Sequence, residues 1–222
     1  MAAGGIAAVV FDLDGVLIES ERLWTSVREE LTRERGGRWR EDAPERMSGM
    51  SSHEWAGYMR EELGLPMEAD EISAAVVERL ERAYRERLPL MPGARETVAR
   101  LHRRWPLALA SSANRPLIDL ALELAGLASS FEASVSAEEV ENGKPAPDVY
   151  LEAASRLGVP AERCAAIEDS SSGIRAANAA GMRVIAIPNR DLPPEPESVA
   201  LADLTIDAVV ELTPEMIEGL AA

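Results

Sequence analysis

A chain of 222 residues with 46% hydrophobic content can hold one large or two small domains around a proper buried core. Its formal charge of −16 excludes nucleic acid and an anionic membrane surface as partners drawn by the summed field, so an anionic ligand would need positive charge placed locally. The lone cysteine, Cys164, leaves no internal disulfide and reads as a packed residue of the apolar run Cys164-Ala165-Ala166-Ile167.

The apolar start, Met1 to Phe11, lacks a basic n-region and runs directly into Asp12 and Asp14, so it reads as core rather than as a secretory signal. A cytoplasmic location is the expectation. Ile6 to Phe11 is short and almost uninterruptedly apolar, the texture of a strand buried on both faces in a parallel sheet. Ligands of such sheets sit outside the carboxyl ends of the strands, where Asp12 and Asp14 are the first polar groups to emerge and Gly15 lets the chain bend away. A plain turn is the competing reading of Asp-x-Asp-Gly. A calcium loop is not, because Leu17 stands where further oxygen ligands should follow.

From Glu19 to about Leu88 the chain becomes charged, rich in Arg and Glu, and helical in spacing. Leu23, Trp24, Val27 and Leu31 recur at helical intervals, as do Ile72, Val76, Val77, Leu80 and Tyr84. Between them Ser51 and Glu54 read as a capping box opening a helix, which puts His53 on a helix surface. Residues 19–88 are thus expected to form a helical cap inserted into a core of residues 1–18 and 89–222, with Val16 to Ser20 and Leu88 to Gly93 as connecting strips and a plausible hinge. After Gly93, helices (Glu96 to Arg104, Pro116 to Leu124, Ala146 to Leu157, Ser172 to Ala180) alternate with strands. The strands expected are Leu107 to Ala110, Phe131 to Ser136, Cys164 to Ile167, Val184 to Ile187 and Leu204 to Ile206. Pro193 to Pro196 reads as a loop. The fold class expected is α/β, a doubly wound parallel-sheet, Rossmann-like core with an inserted α-helical cap.

Three of these strands end in small polar or acidic groups: Asp12 and Asp14, Ser111 and Ser112, Glu168 and Asp169. Any one serine could simply cap a helix, but three such ends on one sheet edge favour a site. Like charges about 4 Å apart repel by roughly 4 kcal/mol at an effective dielectric of about 20, so crowded carboxylates imply a cation, and hard oxygen ligands beside a phosphate suit Mg²⁺. Lys144 stands out because every other one of the 23 basic residues is Arg. A compact ammonium suits a point charge that must touch phosphate and carboxylate together; chance survival on a surface loop is the bland alternative.

The sequence resembles the haloacid dehalogenase-like hydrolases, specifically the beta-phosphoglucomutase-like phosphatases with a helical cap. The resemblance rests on Phe11-Asp12-Leu13-Asp14-Gly15-Val16-Leu17, Ala110-Ser111-Ser112, Gly143-Lys144-Pro145-Ala146-Pro147-Asp148 and Ile167-Glu168-Asp169-Ser170 followed by Gly173. It implies Asp12 as the nucleophile that becomes aspartyl-phosphate and Asp14 as the acid and base. It further implies Lys144 as a catalytic and substrate-binding charge, with Ser111, Ser112 and Asn114 around the phosphoryl group. Asp12, the Asp14 carbonyl and Asp169 would hold Mg²⁺, with Glu168 assisting. Where the family's phosphomutases carry a His and an Arg for the distal phosphate, this chain has Trp24 and Ser52. A mutase is therefore the lesser reading, and Trp24 becomes either a wall of the substrate pocket or ordinary core. The expected function is Mg²⁺-dependent hydrolysis of a small phosphomonoester, a sugar or related metabolite phosphate, with no nucleic-acid or membrane partner. A haloacid dehalogenase and a phosphometabolite sensor are further alternatives.

Overall fold

The computed structural model describes residues 5–47, 50–190 and 192–220, so the first four residues of the apolar start lie outside it. Six strands form one sheet: β1 (Ala8–Phe11), β2 (Leu107–Ser111), β3 (Ala133–Ser136), β4 (Cys164–Glu168), β5 (Arg183–Ala186) and β6 (Leu204–Thr205). Their order is β3-β2-β1-β4-β5-β6, and every pairing is parallel. The α/β class with a parallel sheet is therefore as the sequence led one to expect. The order reverses between β1 and β4, which places the switch point where a doubly wound sheet binds its ligand.

Alternation along the strands explains how both faces are covered. Val9, Phe11, Leu107, Leu109, Ala165 and Ile167 pack into one apolar cluster, while Ala8, Val10, Ala108, Ala110 and Ala166 pack into the other. Helices α5 (Ala94–His102), α6 (Arg115–Ala125) and α10 (Pro214–Gly219) contribute to the first cluster; α7 (Asp148–Leu157) and α8 (Ser171–Ala179) contribute to the second.

Between β1 and β2 the chain is helical: α1 (Glu21–Glu34), α2 (Ala43–Met47), α3 (Ser52–Glu61) and α4 (Ala69–Glu86). Trp24, Val27 and Leu31 of α1, and Ile72, Val76, Leu80 and Tyr84 of α4, face inward, as their spacing requires. Ser51 and Glu54 form the capping box of α3, with the Glu54 carboxylate accepting from the Ser51 amide at 2.8 Å, and His53 is exposed. The strips joining this region to the sheet bond to each other: the Glu19 amide donates to the Pro89 carbonyl and the Met91 amide to the Leu17 carbonyl, both at 2.8 Å.

Several boundaries differ from the sequence reading. Strands β2 and β4 run on to Ser111 and Glu168, because those polar residues are fully buried and keep their ladder partners Ser136 and Ala186. Helix α7 starts at Asp148 rather than Ala146, with Pro147 in front of it. Pro196 ends the expected loop by opening the short helix α9 (Pro196–Val199), its ring fitting a first-turn position that needs no amide donor. Helices α2 and α10 have too few turns to show a period in the sequence.

Candidate active site

The carboxyl ends of β1, β2 and β4 converge, and the loop after β3 brings Lys144 to them. Its Nζ donates to Asp12 Oδ1 at 2.7 Å, to Glu168 Oε1 at 2.6 Å and to the Ala110 carbonyl at 3.1 Å. Three donors thus meet three acceptors, with Lys144 only 6% exposed. The surface reading of Lys144 does not hold. Burial alone would lower its pKa, but the Asp12 and Glu168 carboxylates more than offset that and raise it, so it stays charged.

Carboxylate oxygens of Asp12, Glu168 and Asp169 lie within 4.8 Å of one another, all buried. Burial first, and then neighbouring negative charge, pushes Asp12 up to about 8 against the pull of Lys144, and pushes Asp169 well above the carboxylate range. One ammonium leaves this trio with excess negative charge, and its donors are hard oxygens, so the residues present fit a small divalent cation. The three are not equivalent. Glu168 Oε1 accepts from Lys144 and the Tyr150 hydroxyl, and Oε2 from the Asp169 and Ser170 amides and the Ser170 hydroxyl. Among the described residues, Asp12 accepts from the Lys144 side chain and Asp169 from that of Asn189. Gly15 (φ +79°) is needed where it is, because a Cβ there would collide with the Asp169 carboxylate.

Asp14 is not part of the trio. Its Oδ1 accepts from the Ser20 hydroxyl and from Trp24 Nε1 at 3.3 Å, and burial raises its pKa although both hydrogen bonds lower it. Asp12, Asp14, Trp24, Ser112, Ala113, Lys144, Asp169 and Ser170 line one cleft between the sheet edge and the helical region, enclosing about 60 Å³. Trp24 is thus both packed and pocket wall. Ser111 and Asn114 do not line it: Ser111 Oγ accepts from the Ala113 amide at 3.0 Å, and the Asn114 amide group donates to Glu138 at 2.7 Å.

The sequence reading passed over Glu21, Arg28 and Trp55, which also line the cleft. Arg28 follows Trp24 by four residues on α1, so helical spacing alone could have put it beside that ring. Its burial depends on Trp55 of α3, which spacing does not show.

Comparison with known proteins agrees with this geometry. Residues 6–181 match the family described as haloacid dehalogenase-like hydrolase. A probable pseudouridine-5'-phosphatase of Drosophila melanogaster is 36% identical over 96% of this chain and 94% of its own. Hexitol phosphatase B of Escherichia coli (strain K12) is 34% identical over 96% and 97%. The structure of CbbY from Rhodobacter sphaeroides in complex with phosphate superposes with a TM-score of 0.85 at 31% identity, covering 96% of this chain and 99% of that one. A mutant of the same protein in complex with xylulose-1,5-bisphosphate superposes at 0.83 and 31%, over 93% and 96%. With the family model spanning most of the chain and two phosphatases aligned along nearly all of it, the chain belongs to the haloacid dehalogenase-like hydrolases.

Proposed function

We propose that the protein is a Mg²⁺-dependent phosphatase that hydrolyses a small phosphomonoester, a sugar or related metabolite phosphate, through an aspartyl-phosphate on Asp12. The observation that carries this reading is the pairing of differently held carboxylates in one cleft: Asp12 on an ammonium, Asp14 on the Ser20 hydroxyl and the Trp24 indole. The Lys144 ammonium beside Asp12 favours the carboxylate form that a nucleophile needs, against the burial that raises its pKa, whereas a buried Asp14 held only by neutral donors and with a raised pKa suits a proton donor. A carboxylate oxygen of Asp12 forms the new bond to phosphorus as the ester P–O bond breaks, and the Asp14 proton goes to the leaving alkoxide. Asp14 then takes a proton from the water that attacks the aspartyl-phosphate, releasing phosphate and restoring Asp12. Lys144 offsets charge on the transferring group, and Ser112 with the turn around Ser111 holds its oxygens. Asp12 and Asp169 would hold Mg²⁺, with the Asp14 carbonyl and Glu168 beside them, and the ion would supply positive charge to the phosphoryl oxygens. Residues 19–88 act as a cap that excludes water from the 1–18 and 89–222 core. Among the described residues no helix is long and apolar enough to cross a membrane, and a cytoplasmic setting suits this chemistry and a lone buried thiol.

The test is a panel of phosphomonoesters assayed with Mg²⁺, after chelation, and with Asp12→Asn. Turnover should need Mg²⁺, vanish in Asp12→Asn together with phosphoenzyme in rapid-quench mass spectra, and be accompanied by a rise in melting temperature when Mg²⁺ is added to chelated protein. Absence of turnover on every ester, or turnover by Asp12→Asn near wild type, would sink it.

A further inference from the structure

Arg28 is an unusual cation. It is 8% exposed, its guanidinium carbon lies 4.5 Å from the Trp24 ring centre and 4.7 Å from that of Trp55, and the two rings stand at 68° to each other, forming a corner. Among the described residues its Nε has no hydrogen-bond partner and no carboxylate makes an ion pair with it. Buried arginines are ordinarily paired, because removing the charge from water costs several kcal/mol even after relaxation. Cation–π contact returns only about 0.5–2 kcal/mol and does not close that gap.

The near carboxylates do not supply the missing partner. Asp14 Oδ1 is taken by Ser20 and Trp24, and Glu21 attracts Arg28 without contacting it. Burial, opposed by those two acids, pulls the Arg28 pKa down to about 10, still charged at neutral pH. The group nevertheless lines the cleft that holds Asp12 and Lys144, from the helical wall opposite the sheet edge.

Building on the phosphatase reading above, we propose that Arg28, cornered by Trp24 and Trp55, binds a carboxylate on the alcohol part of the phosphomonoester, so that the preferred substrates are phosphorylated hydroxy acids or sugar acids rather than neutral polyol phosphates. The phosphoryl group is met by Lys144 at the sheet edge, and the other end of a short substrate reaches the helical wall. A planar carboxylate matches the guanidinium fork. One feature selects it over a second phosphate: Glu21, which lines the same cleft and acts on Arg28, would oppose a dianion about twice as strongly as a monoanion.

The test compares esters that differ only by carboxylate for hydroxymethyl: 6-phosphogluconate against glucitol 6-phosphate, and 3-phosphoglycerate against glycerol 3-phosphate, with glucose 1,6-bisphosphate as the second-phosphate arm. Wild type should favour the acid of each pair in kcat/KM by about 10- to 100-fold, the scale of one charge-assisted hydrogen bond. In Arg28→Gln that ratio should fall close to one, and in Arg28→Lys it should fall part way, chiefly through KM. Both members of a pair are measured on the same preparation, so a partly unfolded variant changes both rates and leaves the ratio intact. Equal rates within the pairs, a ratio that survives Arg28→Gln, or a preference for the bisphosphate over the acids would overturn the assignment. Calorimetric binding of the same pairs to Asp12→Asn separates the two readings. A binding preference for the acids without turnover in wild type would remove the phosphatase and keep Arg28, whereas turnover without preference would do the reverse.

Discussion

Lys144 and Glu21 show how burial acts differently on two charges that line the same cleft. Lys144 is held by three acceptors in a closed space, and a guanidinium is larger, planar and unable to aim three donors at those points. Lys144→Arg should therefore lose about 2 to 4 kcal/mol of transition-state stabilisation, read as a fall in kcat/KM with an unchanged circular dichroism spectrum. Retention of most of the activity would remove the ammonium from the chemistry. Glu21 opens α1, where the helix dipole favours a negative charge by about 0.3–1 kcal/mol, yet burial, and then Asp14, raise it to about 6. The native state thus binds this proton more tightly than the unfolded chain, and its contribution to stability is present below about 4.5 and lost as pH rises through about 6. Glu21→Gln should melt higher than wild type at pH 7.5, by no more than the equivalent of about 2 kcal/mol, and equal it below pH 4.5. A variant that melts lower at pH 7.5 would show that Glu21 has a stabilising partner instead.

At the scale of elements, the junction of β4 and α8 does most to organise the site. Glu168 ends the strand with its side chain fully buried, and the amides of Asp169 and Ser170 at the start of α8 converge on Oε2. Gly173, one turn in, makes room: a Cβ there would collide with the Glu168 carboxylate, which cannot swing away without releasing Lys144 and Tyr150. Helix propensity favours Gly173→Ala by about 1 kcal/mol, while breaking a buried ion pair costs about 3–5 kcal/mol, so the second effect wins. Gly173→Ala should destabilise the fold by about 2 kcal/mol or more in urea melts and impair turnover through the displaced Lys144. A stabilised, active variant would mean that Glu168 is freer than its hydrogen bonds indicate.

In the whole molecule, the helical region meets the sheet side at the cleft and again at Glu138, which accepts from Ser52 of α3 at 3.0 Å and from Asn114 at the start of α6 at 2.7 Å. If residues 19–88 open and close about the two mutually bonded strips, the Ser52 contact is made in the closed state and lost in the open one. A hydrogen bond to a charged group contributes about 1.5–3 kcal/mol, enough to shift such an equilibrium severalfold. Ser52→Ala should increase the radius of gyration seen by solution scattering and raise KM more than it lowers kcat. Unchanged scattering and kinetics would show that this contact latches nothing.

The sequence by itself determined the sheet and the place of the site. Apolar strand runs ending in Asp12, Ser111 and Glu168 are local patterns, and parallel-sheet geometry carries their ends to one edge whatever the details of packing. Lys144 was legible too, as the lone lysine of the chain. What the tertiary structure decided was which atoms remain free for a ligand. Glu168 reads like Asp169 in the sequence, yet its oxygens are occupied; the Ser111 hydroxyl accepts from the Ala113 amide and the Asn114 amide group donates to Glu138, contacts that no local pattern shows. Arg28 reads like any of the many arginines on helix surfaces until Trp55, from another helix, covers it. Periodicity assigns a side chain to a face, but hydrogen-bond occupancy and desolvation are set by neighbours remote in the chain, as with Lys144 and Asp12, 132 residues apart.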